Sequence, residues 1–414
     1  MAIAAQTLME DLAALDQIGR TDAGLYRIAW TPAFREGRDW LKRRFAAAGL
    51  RVVEDAAANV WGWWDVGSGP ALVMGSHIDS VPDGGTYDGP LGVLGALAAI
   101  ESLRATDAAP PFSLAVVAWA DEEGARFGTG FFGSGAFVGQ PVLDRYFALA
   151  GESARGVFTE AGVVLDQLGT VATARAQVGA YLELHIEQGP RLEAAGVPLG
   201  IVSGIFGILR HEWTITGAPR HAGTTPYAAR RDAGIGAARA MIAAREVAQA
   251  VAPRDGEAVA TVGTLALAPN AANIVPGRAT FLVDMRALDA DVLARMSDTL
   301  AARITAICTD EGLTATMQTV LSTPPTPMHP AMREAIAAAA ARLGVAPMTL
   351  PSGAGHDAGI LAPFLPAAMI FVPSRDGISH APDEYTTPAH LALGANALLE
   401  TARVLMAQGL PASV

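Results

Sequence analysis

The feature of this sequence that most constrains its fold is a set of potential metal ligands spread over most of the chain. They lie in the segments GSHIDSVPDGGTYDG (75–89), AWADEEGARFG (118–128), LELHIEQGP (182–190) and DGISHAPDEY (376–385). Histidine and carboxylate side chains are the ligands that hold paired divalent ions in proteins. The fold must therefore bring distant segments to one place. The candidate ligands are His77, Asp88, Glu123, His185 and His380.

Length and charge narrow the class of protein. With 414 residues, 51% of them hydrophobic, the chain is long enough for two domains with substantial cores. The formal net charge of −12 argues against nucleic acid or a membrane as partner, because phosphate-binding surfaces need excess Lys and Arg. No apolar run approaches the ~20 residues that span a bilayer. Cys308 is the only cysteine, which excludes an internal disulfide and favours the cytoplasm.

Two of the candidate segments follow predicted strands. The apolar stretch 71–76 ends at His77, and the apolar stretch 113–120 ends where Asp121-Glu122-Glu123 begins. Helical and strand-like stretches alternate along the chain, which is typical of an α/β sandwich with a largely buried sheet. Open sheets of this class bind ligands at the carboxyl ends of their strands. We therefore expect both segments at one edge of the sheet.

His185 lies in a stretch, 180–188, where apolar and polar residues alternate. Successive side chains of a strand point to opposite faces, so His185 shares a face with Glu183 and Glu187. The pattern predicts a strand with one polar face. A lone histidine near a strand end is more often a hydrogen-bonded structural residue than a ligand. Only its combination with the other candidates makes it a predicted ligand.

A change of pattern predicts an inserted domain at 207–322. Two strand–helix–strand units of this kind form an open-faced sheet with helices on one side. The insertion divides the first, catalytic domain into 1–206 and 323–414, with a proline-rich return linker at 322–327. The predicted elements of the insertion are strand 208–216, helix 227–251, strands 259–267 and 278–286, helix 289–312 and strand 314–320.

The ligand roles follow from what a two-metal hydrolase requires. Such a site needs a carboxylate that bridges both ions, together with terminal histidine and carboxylate ligands. We expect Asp88 to be the bridge. We expect His77 and His185 to be terminal ligands of opposite ions, and Glu123 and His380 to complete the two sets.

Glu122 is the predicted general base, because adjacent carboxylates project in different directions and Glu123 is already a ligand. Asp79 is expected to reach back with its carboxylate and fix the imidazole tautomer of His77. Each signal alone has an ordinary explanation, such as a solvated acidic loop for 122–123 or a turn aspartate for Asp88. Their conjunction predicts hydrolysis by metal-activated water.

The whole chain resembles the binuclear-metal amidase family of N-carbamoyl-L-amino acid hydrolases, β-ureidopropionases and allantoate amidohydrolases, the hydantoinase/carbamoylase type. Two features resemble this branch more than the related peptidases: the short interval between His77 and Asp88, and a histidine at 185 in place of a carboxylate ligand. The matching motifs are GSHIDSVPDGGTYDGPLGV, ADEEGARFG, LHIEQGP, RHAGTTP, ANIVPG, DMR, GAGHDA and DGISHAPDEYT.

The resemblance implies a fold, a cofactor and an oligomeric state. The fold is a two-domain α/β protein, in which a mixed-sheet, metallo-exopeptidase-like catalytic domain carries an inserted α+β open-faced sandwich that serves as dimerisation and lid domain. The cofactor is two divalent metal ions per subunit; we expect zinc, with manganese, cobalt or nickel as alternatives. The oligomer is a homodimer.

The resemblance also assigns roles to residues whose ordinary reading is a turn or a surface salt bridge. It implies that Arg286 and Asn273 bind a substrate carboxylate and that Gln188 contacts the substrate. It places Gly355 in the pocket lining, with its neighbour His356 outside the ligand set. It implies that His221 reaches the active site of the other subunit and stabilises the oxyanion.

The predicted reaction is hydrolysis of the carbamoyl (ureido) C–N bond of an N-carbamoyl-L-amino acid, giving the L-amino acid, CO2 and NH3. Allantoate amidohydrolase is the nearest alternative, since allantoate carries the same carboxylate and ureido groups, and β-ureidopropionase is another. A dipeptidase or aminoacylase is more distant. A catalytically silent binding protein on the same fold is the alternative from a different class.

Overall fold

The computed structural model describes residues 3, 5–105, 109–151, 153–252 and 257–412. The chain folds into two compact units. Unit 1 comprises Met1–Ser203 and Met328–Val414, and unit 2 comprises Gly204–Pro327. The sequence predicted the inserted segment at 207–322. Unit 2 is therefore slightly longer at both ends than the predicted insertion.

Strands of both units are short to medium in length, and those of unit 1 are mostly buried on both faces. In chain order they are β1 (Arg51–Glu54), β2 (Val60–Trp64), β3 (Ala71–His77), β4 (Leu114–Trp119), β5 (Val178–Ile186), β6 (Gly200–Ile205), β7 (Gly207–Thr216), β8 (Arg220–His221), β9 (Ala258–Ala268), β10 (Ile274–Val275), β11 (Arg278–Ala287), β12 (Thr314–Thr323), β13 (Thr326–Pro327), β14 (Met348–Ser352) and β15 (Ala367–Val372).

Helices flank the strands in both units. No helix in the described residues is long and apolar enough to cross a membrane. The helices are α1 (Ala5–Asp16), α2 (Pro32–Ala47), α3 (Pro90–Arg104), α4 (Phe132–Phe137), α5 (Val142–Ala150), α6 (Ser153–Glu160), α7 (Leu168–Thr173), α8 (Arg191–Ala195), α9 (Ala233–Val251), α10 (Ala290–Asp310), α11 (Pro330–Arg342), α12 (Asp357–Leu361) and α13 (Pro388–Gln408).

The sheet of unit 1 is mixed, as predicted. Its strand order is β1-β2-β4-β3-β5-β15-β6, with β14 paired to β6. The central strands run parallel, β3 with β4 and β5, and β5 with β15. The outer pairs β1–β2, β2–β4 and β15–β6 are antiparallel. The carboxyl ends of β3, β4 and β5 therefore lie side by side at one edge.

Helices α3 and α13 pack on one face of this sheet, against β5. Glycines permit the close approach: a Cβ at Gly92 would lie 2.5 Å from the carbonyl oxygen of Leu184, and one at Gly394 would lie 2.8 Å from the Leu184 side chain. The alternate residue His185 is also buried, at 1% exposure. The polar face predicted for this strand is thus an interior polar site and not a solvent face.

Unit 2 is an antiparallel sheet with two helices on one face. The strand order is β12-β7-β11-β9, and α9 and α10 cover the face on which Phe281, Val283 and Met285 are buried. Asp232 and Asp289 cap the two helices by accepting backbone N–H groups of their first turns. Helix α9 therefore starts at Ala233, after the predicted start at 227.

Candidate metal centre

The predicted ligands lie in two groups around the two carboxylate oxygens of Asp88. Oδ1 of Asp88 lies 3.1 Å from Nε2 of His185 and 3.7 Å from Nε2 of His77. Oδ2 lies 3.1 Å from Nε2 of His380, which is itself 3.4 Å from Oε1 of Glu123. In each group the ligand atoms lie within 4.8 Å of one another. One aspartate therefore faces two separate sets of donors, as a bridging ligand must.

The grouping corrects one prediction. His77 and His185 were expected on opposite ions, but both face Oδ1 of Asp88. The reason is the strand order: His77 ends β3 and His185 lies near the end of β5, and these strands are neighbours in the sheet. Glu123, which follows β4, and His380 form the other group.

Both strand-end histidines present Nε2 to the centre. Nδ1 of His185 lies 2.9 Å from the carbonyl oxygen of Ile186, and Nδ1 of His77 lies 3.1 Å from the carbonyl oxygen of Asp79. A carbonyl can only accept, so each Nδ1 carries the proton and each Nε2 keeps its lone pair. Nε2 of His185 is buried and has no hydrogen-bond partner among the described residues. A metal ion would satisfy it.

Asp79 differs from its predicted role in the atom that it uses. Its backbone carbonyl, not its carboxylate, contacts Nδ1 of His77; the nearest carboxylate oxygen is 3.8 Å away. The carboxylate instead accepts the backbone N–H groups of Glu122 at 3.3 Å and Glu123 at 3.1 Å. Asp79 therefore connects the ends of β3 and β4, one through each of its two polar groups.

Glu122 and Glu123 point toward different parts of the centre. Oε2 of Glu122 lies 3.8 Å from Nε2 of His77, whereas Oε1 of Glu123 faces His380. Burial raises the pKa of both carboxyl groups well above 4.5, with a further contribution from neighbouring carboxylates. Buried acids at such close quarters need compensating positive charge to stay ionised.

The histidines show the same imbalance of charge. Burial lowers the pKa of His77 to about 4. Burial also lowers the pKa of His185, but the hydrogen bond and charge of Asp88 outweigh it and raise that pKa to about 9. The pKa of Asp88 falls well below 3.8, because its contacts with His185 and His380 outweigh the effect of burial. Asp88 thus recruits cations on both sides. The donor set fits two divalent ions.

An aromatic box that the sequence did not predict supports the segment before Glu122. The carboxylate of Asp121 accepts hydrogen bonds from the indole N–H of Trp30 at 2.6 Å and the hydroxyl of Tyr146 at 2.7 Å. Phe132 and Phe158 pack edge-on against Trp30. Asp121 has a positive φ of 57°, which a non-glycine residue adopts only when its surroundings hold it. No local sequence signal connects Trp30 to position 121.

Gln188 and Gly355, the predicted substrate contacts of unit 1, lie in different settings. Nε2 of Gln188 donates to Oδ2 of Asp88 at 2.8 Å and lies 3.3 Å from Nε2 of His380, so this amide is part of the second ligand group. Gly355 is exposed in the loop between β14 and α12. A Cβ there would lie 2.7 Å from the ring of Phe131.

Glu183, His185 and His356 form another cluster of potential ligands. Its members are already engaged. Oε1 of Glu183 accepts from Ser76 at 2.7 Å and Oε2 accepts from the Ala358 amide at 2.9 Å. Nε2 of His356 lies 2.9 Å from the Ser352 hydroxyl, and its ring packs edge-on against His185. The cluster supports His185 from behind, in agreement with the prediction that His356 is not a ligand.

Unit 2 carries the other three predicted site residues. His221 pairs with Ile274 in the short β8–β10 ladder, and the Asn273 carbonyl accepts the N–H of Ala222 at 2.9 Å, so His221 and Asn273 share one exposed corner. Arg286 lies on the sheet face that the helices leave open, and its Nε donates to Asp284 at 2.8 Å.

The profile of peptidase family M20/M25/M40 matches residues 73–404 of this chain. The chain belongs to this family. Two curated relatives and a solved structure extend the match over nearly the whole sequence. The chain is 38% identical over 408 residues to the N-carbamoyl-L-amino acid amidohydrolase of Geobacillus stearothermophilus (96% of this chain, 98% of that protein). It is 36% identical over 400 residues to the allantoate amidohydrolase of Escherichia coli K12 (95% and 96%).

Among solved structures, an amidase of the hydantoinase/carbamoylase family from Burkholderia multivorans matches this M20/M25/M40 chain with a TM-score of 0.89 at 36% identity, over 97% of both chains. The predicted family resemblance and the mixed α/β fold are therefore confirmed. The prediction of a metal-dependent amidohydrolase is also confirmed at the level of reaction class.

Proposed function

We propose that the chain hydrolyses the ureido C–N bond of N-carbamoyl-L-amino acids to L-amino acid, CO2 and NH3. The observation that carries this proposal is the arrangement of two donor groups around Asp88 with the carboxylate of Glu122 beside them. The 38% identity to an N-carbamoyl-L-amino acid amidohydrolase, spread over nearly the full length of both chains, supports this substrate class.

Two divalent ions fit the donors. His77, His185 and Oδ1 of Asp88 would hold one ion, and Glu123, His380 and Oδ2 of Asp88 would hold the other. When bound, such ions lower the pKa of a shared water toward ~7 and polarise the substrate carbonyl. We propose zinc as the native metal, with manganese, cobalt and nickel as alternatives.

Glu122 is the proposed proton carrier. Its carboxylate is buried and has no ligand role in this scheme, so it is free to take a proton from the attacking water. The oxygen adds to the ureido carbon, and Glu122 then delivers the proton to the nitrogen attached to the amino acid as the C–N bond breaks. The carbamate that remains decomposes to CO2 and NH3, so the atoms balance.

His221 is the proposed oxyanion donor, acting on the active site of a second copy in a homodimer. Its Nδ1 accepts the backbone N–H groups of Gly223 at 3.1 Å and Thr224 at 3.2 Å. The ring proton therefore sits on Nε2, and the side chain is exposed. A preformed Nε2–H donor on a fixed turn supports this role, because an oxyanion needs a hydrogen-bond donor that is already oriented.

Arg286 and Asn273 are the proposed ligands of the substrate carboxylate, with Gln188 and Gly355 as further contacts. The guanidinium of Arg286 lies on the open sheet face, where Asp284 fixes its Nε. A planar guanidinium held in this way can bind a carboxylate through two parallel hydrogen bonds. An acidic protein of net charge −12 needs such local positive groups to attract an anionic substrate. The free thiol Cys308 agrees with the cytoplasm as the proposed compartment.

Steady-state kinetics on a small substrate panel test the proposal. We expect kcat/KM for N-carbamoyl-L-methionine to exceed the values for N-carbamoyl-D-methionine, N-carbamoyl-β-alanine and allantoate. Turnover should disappear after exhaustive chelation and return when Zn, Mn, Co or Ni is added. Activity that persists without metal contradicts the proposed centre, and a purified protein that binds no metal and turns over no substrate is a silent binding protein.

Allantoate hydrolysis is the second candidate, favoured by the 36% identity to an allantoate amidohydrolase over almost the whole chain. Allantoate presents a carboxylate and a ureido group, so the same residues serve both reactions. A higher kcat/KM for allantoate than for every N-carbamoyl amino acid assigns this activity instead. Highest turnover of N-carbamoyl-β-alanine assigns β-ureidopropionase activity.

A further inference from the structure

Glu384 is a buried carboxylate that neither the ligand set nor the proposed mechanism uses. Its exposure is 5%, and it lies four residues after His380 in the sequence. We infer that Glu384 is a positioning residue that ties the loop carrying Asp88 to the loop carrying His380 and so fixes the second ligand group. The inference presupposes the paired-ion centre proposed above.

The hydrogen bonds of Glu384 cross between the two loops. Oε1 accepts the backbone N–H of Tyr87 at 2.8 Å and of Asp88 at 3.1 Å. Oε2 lies 2.9 Å from the hydroxyl of Ser379, the residue before His380. One side chain thus holds the backbone of the bridging ligand and the neighbour of a terminal ligand, which are nearly 300 residues apart in the sequence.

Ser379 closes the network on the metal side. Its Oγ is also 2.9 Å from Oδ2 of Asp88, the oxygen that faces His380. A hydroxyl has one hydrogen, so it can donate to only one of the two carboxylates at a time. Donation to Asp88 leaves the lone pairs of Oγ free to accept a hydrogen from position 384. An amide at position 384 would supply that hydrogen and keep its oxygen for the two backbone N–H groups.

The space around Glu384 is shaped for a side chain of this length. A Cβ at Gly85 would lie 2.3 Å from the carboxyl carbon of Glu384, so the loop backbone and the carboxylate are packed against each other. On the other side, the N–H of Glu384 donates to the Ala381 carbonyl at 3.1 Å and closes the turn that contains His380. His380 itself has a positive φ of 55°, a conformation that needs such support.

Glu384 is not itself placed as a ligand. Each of its oxygens faces a hydrogen-bond donor, and the groups of potential ligands in the described residues do not include it. Its effect on the ions is therefore indirect. Residues that orient metal ligands in this way typically change metal affinity by about 10- to 100-fold when they are removed.

The test compares Glu384→Gln, Glu384→Asp and Glu384→Ala with wild type and with Asp383→Asn, an exposed neighbour that serves as the control. Gln keeps the length and loses the charge; Asp keeps the charge and loses the reach. We expect Gln and the Asp383 variant to behave like wild type. We expect Asp and Ala to weaken binding of one of two Zn²⁺ ions by about 10- to 100-fold in chelator competition.

Hydrogen exchange on the metal-free protein gives a readout that does not depend on bound metal or on turnover. The Asp and Ala variants should exchange the amides of 84–89 about tenfold faster or more, while peptides from α3 and β5 keep their wild-type rates. Wild-type exchange and Zn²⁺ affinity in these variants overturn the inference, as does uniform acceleration throughout unit 1, which indicates a general loss of stability. If wild type binds no Zn²⁺, the proposed function fails, and the exchange of 84–89 still decides whether Glu384 holds this loop.

Discussion

Oδ2 of Asp79 accepts the backbone N–H of Glu123 at a distance of 3.1 Å. The two residues follow neighbouring parallel strands, β3 and β4. Oδ1 accepts the N–H of Glu122 in the same way. Because both amides are buried against a single carboxylate, the proposed base and the proposed ligand are held by one group that is rooted beside His77.

Replacing Asp79 by Asn should therefore damage the orientation of Glu122 and Glu123. An amide side chain has one acceptor oxygen, so one of the two backbone N–H groups loses its partner. We expect kcat to fall about tenfold or more, in line with about 1–3 kcal/mol for a buried donor left unsatisfied. Steady-state kinetics measure the effect. Circular dichroism checks the fold, and kcat unchanged in a folded variant removes Asp79 from this role.

Glu122→Gln should separate the base from the ligands. The substitution keeps shape and burial but removes the group that carries the proton, so kcat should fall by about 100- to 10,000-fold. Metal content measured by plasma mass spectrometry should stay at the wild-type value. Glu123→Gln is the matched comparison, since it should lose metal as well as activity. The reverse pattern in the two variants exchanges their roles.

The placement of the centre at the carboxyl ends of β3 and β4 was predictable, because His77 and Glu122-Glu123 directly follow apolar runs. The grouping of ligands was not. Local sequence does not contain the strand order, so the adjacency of β3 and β5, which puts His77 and His185 on one oxygen of Asp88, becomes visible only in three dimensions.

The same limit applies to the supporting shell. Trp30 and Tyr146 reach Asp121 across separations of 91 and 25 residues, and neither lies in a segment with a ligand-like pattern. The short helices between 132 and 173 were also not predicted, since none is long enough to show a clear helical period. By contrast, α10 has 21 residues and was predicted within two residues at each end.

Metal affinity should increase with pH between about 6 and 8. Burial, and then the neighbouring carboxylates, raise the pKa of Glu122 and Glu123, and Asp88 outweighs burial to raise the pKa of His185 to about 9. The metal-free protein therefore holds protons near neutrality that must leave when ions bind. Each proton released makes the affinity rise about tenfold per pH unit.

Calorimetric titration in two buffers of different ionisation enthalpy counts these protons directly. We expect release of at least about one proton per pair of ions at pH 7. Glu123→Gln should release fewer, because an amide has no proton to lose. An affinity that stays constant from pH 6 to pH 8 is incompatible with protonated ligands in the metal-free centre.

Arg286→Ala should raise KM for carboxylate substrates about 10- to 100-fold, the equivalent of about 1.5–3 kcal/mol for hydrogen bonds to a charged group. Arg210→Ala is the matched control, because Arg210 pairs with the same Asp284, 2.6 Å away. If only the loss of an ion pair at Asp284 mattered, the two variants would behave alike. A selective rise of KM for the Arg286 variant identifies the residue as a substrate ligand, and an unaltered KM excludes it.

Mixed dimers should reveal whether His221 acts on the other subunit. Glu122→Gln and His221→Ala each inactivate a homodimer, but a dimer with one copy of each variant contains one complete site if His221 crosses the interface. Such dimers, co-expressed with two tags and purified on both, should recover about half of the wild-type activity. Glu122→Gln paired with His380→Ala should recover none, because Glu122 and His380 belong to one centre within unit 1. If the first pair is as inactive as the second, His221 serves its own subunit or no active site, and the complete centre does not require a partner.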